Sequence, residues 1–103
     1  MAIADVVILN ESSDPRFAGD VQVYVTTDEL CRHLESWFMN EPHLALRLDG
    51  TEVCLASRGA EVYVLEERPY PGGEQILKVW LRSIPERELR KLPRDVLNAI
   101  RKS

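Results

Sequence analysis

Cys54 and His43 are the pair in this chain most able to act as a nucleophile and its base. An imidazole beside a thiol lowers the thiol pKa and supplies reactive thiolate. In the hairpin register read below, Cys54 faces Ala45 and His43 lies diagonal to it. No third group is placed to orient the imidazole, and no oxyanion site accompanies the thiol, so both read first as ordinary strand residues. Glu66 and Glu67 are neighbours on a strand and point to opposite faces, which makes them a poor acid–base pair. Cys31 and His33 sit two residues apart on a helix, roughly 200° around it, and cannot share a ligand. The chain holds no CxxC, no Cys/His set at zinc spacing, no GxSxG, no P-loop, no HExxH and no GxGxxG after a strand. Gly72-Gly73 precedes a segment that reads as a strand rather than a phosphate-holding helix. No catalytic residue, metal ligand or cofactor is therefore expected.

The elements that position these residues must form one domain, because 103 residues leave no room for a second. A chain of this size buries roughly two-thirds of its unfolded surface and folds without staples. Hydrophobic residues make up 45% and charged residues 29%, which excludes disorder over the whole chain. Two isolated cysteines suit a reducing compartment, with both thiols free. The opening MAIADVVILN lacks a basic leader and its apolar run is short, so neither a signal peptide nor a membrane span is expected, and the protein is expected in the cytoplasm. Net charge is −4 but uneven. Residues 82–103 carry seven basic and three acidic side chains, a balance of +4, and residues 1–81 carry six and fourteen, a balance of −8. An acidic body disfavours nucleic acid and favours a basic protein partner. The basic tail reads as a solvated helix face.

Residues 2–9 form an apolar run of strand length, a polar loop follows, and VQVYVT alternates as a half-buried strand. Thr26-x-x-Glu29 is a capping box, with Val25 and Leu30 placed for a hydrophobic staple. Leu30, Cys31, Leu34, Trp37 and Phe38 then share one face of a helix that runs to about Met39, before Asn40 and Pro42 stop it. Asp49-Gly50 predicts a two-residue hairpin turn that sets Leu46 against Val53 and Arg47 against Glu52. A second turn near Arg58-Gly59 sets Leu55 against Val62 and Val53 against Val64. EQILKVWLRSI is read as a further strand, with Leu77, Val79 and Leu81 on one face. Ser83-x-x-Glu86 reads as another capping box, and Pro93 restarts a last helix with Val96, Leu97 and Ile100 inward. The expected fold is one α+β domain with an antiparallel β-meander packed with helices, in the order β-β-α-β-β-β-β-α-α.

That register gathers Cys54, Tyr63, Leu65, Ile76 and Trp80 on the second face of the sheet. Tyr and Trp are enriched at protein interfaces, so Tyr63 and Trp80 become candidate anchors wherever no helix of the same chain covers them. The candidate steering acids are Asp28, Glu29, Glu35, Glu61, Glu66 and Glu67.

The stretch YVTTDELCRHLESWFMNEPHLALRLDGTEVCL, about a third of the chain, resembles small cytoplasmic immunity proteins of bacterial toxin–immunity systems. In those proteins a strand leads through a Ser/Thr–acid–acid cap into a helix carrying Leu-Glu, and then into a strand with an acid–Gly turn. The matching residues are Thr27, Asp28, Glu29, Leu34, Glu35, Asp49 and Gly50. The resemblance implies a non-enzymatic protein that binds and blocks one toxin domain. The competing reading is a dimeric adaptor or secretion-chaperone-like domain that uses an open sheet face. A small Cys/His enzyme comes third, and a nucleic-acid binder working through the basic tail comes fourth. The expected partner is thus a protein, either a basic toxin domain or a second copy of the chain. Nucleic acid and membrane are not expected.

Overall fold

The computed structural model describes residues 5–11, 14 and 20–102. The start of the first predicted strand and most of the loop after it lie outside the described residues. Five antiparallel strands form one sheet in the order β2-β1-β3-β4-β5, from β1 (Val7–Asn10), β2 (Val21–Tyr24), β3 (Leu44–Arg47), β4 (Thr51–Arg58) and β5 (Glu61–Pro69). Helices pack on both faces, so the class is α+β in a single domain, as the sequence implies. One face carries α1 (Thr27–His33) and a 3-10 turn (Ser36–Asn40); the other carries α2 (Gly73–Ser83) and α4 (Arg94–Lys102), with the short α3 (Glu86–Leu89) between them.

The central strands are buried on both sides. Val6 and Ile8 of the first strand region and Leu44 and Leu46 of β3 meet Leu77, Trp80, Leu81, Val96 and Ile100. Val7, Leu9, Ala45, Val53 and Val62 meet Leu30, Leu34 and Phe38 on the opposite face. An unbroken apolar run such as Val6–Leu9 is what a strand covered by helices on both sides requires.

Three predicted features are corrected. EQILKVWLRSI is helix α2, not a strand. Leu77, Trp80, Leu81 and Ile84 recur at helical spacing and are all buried, whereas the period-two reading would have put Val79, which is 43% exposed, into the core. Gly72 starts the helix from a left-handed backbone, φ +76°, which a side chain would resist. Gly73 lies directly on the β3–β4 turn: a Cβ there would sit 2.4 Å from the Gly50 carbonyl oxygen. Two glycine backbones thus let α2 start against the end of the sheet.

The first hairpin is slipped by one residue from the predicted register, because its loop holds three residues, Leu48-Asp49-Gly50, rather than two. The Gly50 N–H donates to the Arg47 carbonyl at 2.9 Å, the Thr51 N–H donates to the Asp49 carboxylate at 2.9 Å, and Gly50 takes φ +86°. Leu46 therefore pairs with Glu52, not Val53. A one-residue slip sends every later side chain to the other face, and Val53 accordingly packs with Leu30 and Phe38 while Leu46 packs with Trp80. Arg47 meets Glu67 at 2.5 Å and Glu52 meets Arg68 at 3.0 Å, in place of the predicted Arg47–Glu52 pair. The second turn is Gly59-Ala60, with only Gly59 at positive φ, as a type II′ turn requires. Leu55 there faces Val64, and Ser57 faces Val62. This shift is by two, so it keeps the faces. A bulge then leaves Leu65 unpaired between Val64 and Glu66.

The helix after the Thr26 cap forms as expected, and the Glu29 N–H donates to the Thr26 hydroxyl at 3.1 Å. It ends at His33, with Leu34 already extended, and a 3-10 turn follows. The predicted helix to Met39 would run about 20 Å at 1.5 Å per residue. α1 packs against β5 at the far edge of the sheet. The chain instead breaks, folds back over β4 and enters β3 beside β1. Ser83 is not a cap: its hydroxyl donates to the Trp80 carbonyl at 2.7 Å, and Pro85 precedes α3 without a side-chain cap.

Candidate functional site

The break after α1 decides the surface of the molecule. In an unbroken helix Trp37 would share the inward face with Leu34 and Phe38. In the 3-10 turn Phe38 stays inside, 7% exposed, and Trp37 turns out, 59% exposed. Its indole N–H donates to the Glu35 carboxylate, which fixes the ring, and its edge packs on Phe38 at 6.2 Å between centroids. Trp37, Phe38 and Pro42 wall a recess of about 310 Å³ whose remaining lining is Glu11 and Glu41. The expectation that Trp37 belongs to the core is overturned.

From this recess an acidic strip runs along the β2 side of the same face. Glu11 follows β1, and its N–H donates to the Asp20 carbonyl at 3.1 Å. Burial and a side-chain hydrogen bond with Asp20 raise the Glu11 carboxyl pKa, with the Asp20 charge adding and His33 opposing. Tyr24, whose hydroxyl donates to Gln22 at 2.7 Å, is pushed up to about 12 by burial and by the carboxylates of Glu11, Glu29 and Asp20. His33 stacks at a tilt on Tyr24, 5.7 Å between centroids. No Lys or Arg among the described residues lies within 4.0 Å of the carboxylates of Glu11, Glu29 or Glu41.

No protein-family model matches this chain, and no curated protein or solved structure matches it either.

The residues singled out in the sequence separate into groups. Asp28, Glu29 and Glu35 lie on the α1 side, where Asp28 is held by Arg32 and Glu35 by the Trp37 indole. Glu61, Tyr63, Glu66 and Glu67 belong to β5, an edge strand. Glu67 is engaged by Arg47, whose hydrogen bond holds its carboxyl pKa below the ordinary range. Glu66 lies 3.6 Å from Arg68, and Tyr63 is half-buried under the Arg58 guanidinium at 6.0 Å. Charges, a bulge and Pro69 on an edge strand are the devices that block edge-to-edge pairing, so this group protects β5. Trp80 presents no surface: it is fully buried on the inner side of α2, and the helical period that placed it there is the reason.

The Cys54–His43 pairing also dissolves. The His43 ring lies 5.2 Å from Phe38, on the α1 face, and its Nδ1 is 2.8 Å from the Glu41 carbonyl. Cys54 pairs with Glu66 and alternates with Val53, so it points to the other face. Burial pushes the Cys54 thiol up, with Glu52 adding to it, and burial does the same for Cys31 beside Asp28. Both cysteines are free, and neither environment favours thiolate. The described residues hold no group of three or more His, Cys, Asp or Glu side chains arranged for a metal, and no helix among them is long and apolar enough to cross a membrane. In the basic tail, Glu86 meets Arg90 and Arg101 while Glu88 meets Arg87 and Lys91, which offsets much of its charge.

Glu11 gives a first prediction. A carboxyl whose folded pKa is raised costs stability once the pH exceeds its unfolded value, and costs nothing when both states are protonated. Glu11→Gln keeps a hydrogen bond to Asp20 and removes the charge. The variant is expected to melt higher than the parent near pH 7, with the gain vanishing near pH 3.5. A lower melting temperature at neutral pH would show that the carboxylate stabilises the corner.

Proposed function

We propose that this chain is a protein-binding module, and specifically an immunity protein that neutralises a basic toxin domain in the cytoplasm of the cell that makes both. The observation that carries the reading is Trp37, a large aromatic side chain left 59% exposed among carboxylates. Trp is among the residue types most enriched at binding hot spots, and this one walls a recess on the surface. Glu11 and Glu41, which line the same recess, supply a negative field that steers a cationic partner and repels acidic ones. The resemblance of residues 24–55 to immunity proteins agrees in placing Glu35, Trp37 and Glu41 within the stretch that carries it.

The adaptor reading draws less support. Its open sheet face is occupied over the central strands by α2 and α4, and its free edge β5 is guarded by charge. The test is expression beside the toxin domain encoded next to this chain. Cells carrying the toxin alone are expected to stop growing, and cells carrying both to grow normally. Equal survival with and without the chain would overturn the immunity reading.

A further inference from the structure

We propose that the outer edge of β2 is a docking groove for an extended segment of another protein, alternating apolar and basic residues, which adds to the sheet as a further strand. The sheet has two edges, and only one of them is guarded. β5 carries charges, a bulge and Pro69, whereas residues 21–25 include no charged residue and no proline, and β2 pairs with β1 in unbroken register. The Glu11 N–H donates to the Asp20 carbonyl across this ladder, so the pairs at two-residue steps from it, Leu9–Gln22 and Val7–Tyr24, are the hydrogen-bonded ones. The N–H and C=O groups of Val21 and Val23 therefore point away from β1, and among the described residues no strand or turn takes them up.

This edge borders a groove of about 530 Å³, walled by α1 on one side and by residues 84–92 on the other. Outward N–H and C=O groups along a groove match another backbone, because an extended chain carries both at the same spacing. The walls then choose its side chains. Val21 and Val23 belong to the α2–α4 side, where Ile84, Pro85 and Leu92 line the groove, so residues opposite them are apolar. On that wall the charges of Arg87 and Lys91 are met by Glu88. Gln22 and Tyr24 face the α1 side, where Asp20, Glu29 and His33 line the groove without a Lys or Arg, so residues opposite those are basic. A second copy of this chain fits less well. A two-fold interface sets a patch against itself, and Asp20 and Glu29 would meet their own copies on the same face. The proposal goes beyond the immunity reading, because any protein presenting such a segment would fit.

The test follows backbone amide exchange of the isolated chain while the peptide acetyl-Lys-Val-Lys-Val-Lys-Val-Lys-amide is added. In antiparallel pairing, valines set opposite Val21 and Val23 turn their own N–H groups toward β2. The same peptide N-methylated at its three valines is therefore the backbone control, and acetyl-Glu-Val-Glu-Val-Glu-Val-Glu-amide is the charge control. Exchange at Val21 and Val23 is expected to slow saturably, by about tenfold or more, while Gln22 and Tyr24, already bonded to β1, stay unchanged. The glutamate peptide is expected to bind about tenfold more weakly, and the N-methylated peptide to give no response. Val23→Pro removes one outward donor at an edge position where proline is tolerated, and it is expected to abolish the response at Val21. An unmoved indole resonance from the fully buried Trp80 shows that the core of that variant is intact.

No saturable slowing, equal binding of the N-methylated peptide, or equal binding of the glutamate peptide would each overturn the proposal. So would slowing at Val21 and Val23 that rises with protein concentration alone, which would give the edge to a second copy. The immunity reading stands or falls separately. Peptide binding without protection of cells would keep the groove and sink the toxin partner. Protection of cells without any peptide response would do the reverse.

Discussion

Trp80→Ala is expected to lose about 3–5 kcal/mol of folding stability, while Trp37→Ala is expected to stay within about 0.5 kcal/mol of the parent. Trp80 is the largest fully buried side chain, and the cluster around it joins Ile8, Leu44 and Leu46 of the sheet to Leu77, Val96 and Ile100 of the helices. Removing it opens a cavity under three elements at once. A small domain has only about 5–15 kcal/mol in total, so the variant should sit near the edge of folding. Urea unfolding followed by circular dichroism measures both changes. A Trp37→Ala variant destabilised as much as Trp80→Ala would mean that Trp37 is a core residue after all, and the binding surface would lose its anchor.

The contrast between the two tryptophans also shows where local pattern sufficed and where it did not. The Thr26 cap, the two hairpins, the restart at Pro93 and the α+β class rest on near-neighbour chemistry, and each was legible from a few adjacent residues. Trp80 was misplaced because Leu77, Val79 and Leu81 satisfy a strand template while Leu77, Trp80, Leu81 and Ile84 satisfy a helical one. The helical set is longer and excludes Lys78 and Arg82, and that is the signal that distinguishes them. Trp37 was a different kind of error. Nothing in ELCRHLESWFMN breaks a helix, and the break at Leu34 is visible only in the fold, where the 3-10 turn packs on β4 before the chain enters β3 beside β1. The candidate site inherits that limit. Asp28, Glu29 and Glu35 are visible as acids on a helix, but the convergence of Glu11, Glu41 and Trp37 depends on how the end of β1 meets the start of β3. The one-residue slip at Leu48-Asp49-Gly50 has the same character: an Asp-Gly pair fits a two-residue or a three-residue loop, and the burial demands of both faces of β3 choose between them.

Binding kinetics with the proposed toxin partner should separate the anchor from the field. Trp37→Ala is expected to raise the dissociation rate about 30- to 1000-fold, the range of a hot-spot aromatic worth about 2–4 kcal/mol, and to leave association nearly unchanged. Glu11→Lys combined with Glu41→Lys is expected to slow association about tenfold and flatten its salt dependence, because encounter follows the potential beside the recess. A control holds net charge fixed. Glu66→Lys combined with Glu74→Lys makes the same change in total charge, at the β5 edge and the start of α2, outside the recess lining. It should affect association much less. If the control slows association as strongly as the pair beside Trp37, steering belongs to the acidic body as a whole. If Trp37→Ala leaves the dissociation rate untouched in a folded variant, the indole is not the anchor, and the contact must be sought elsewhere on the acidic face.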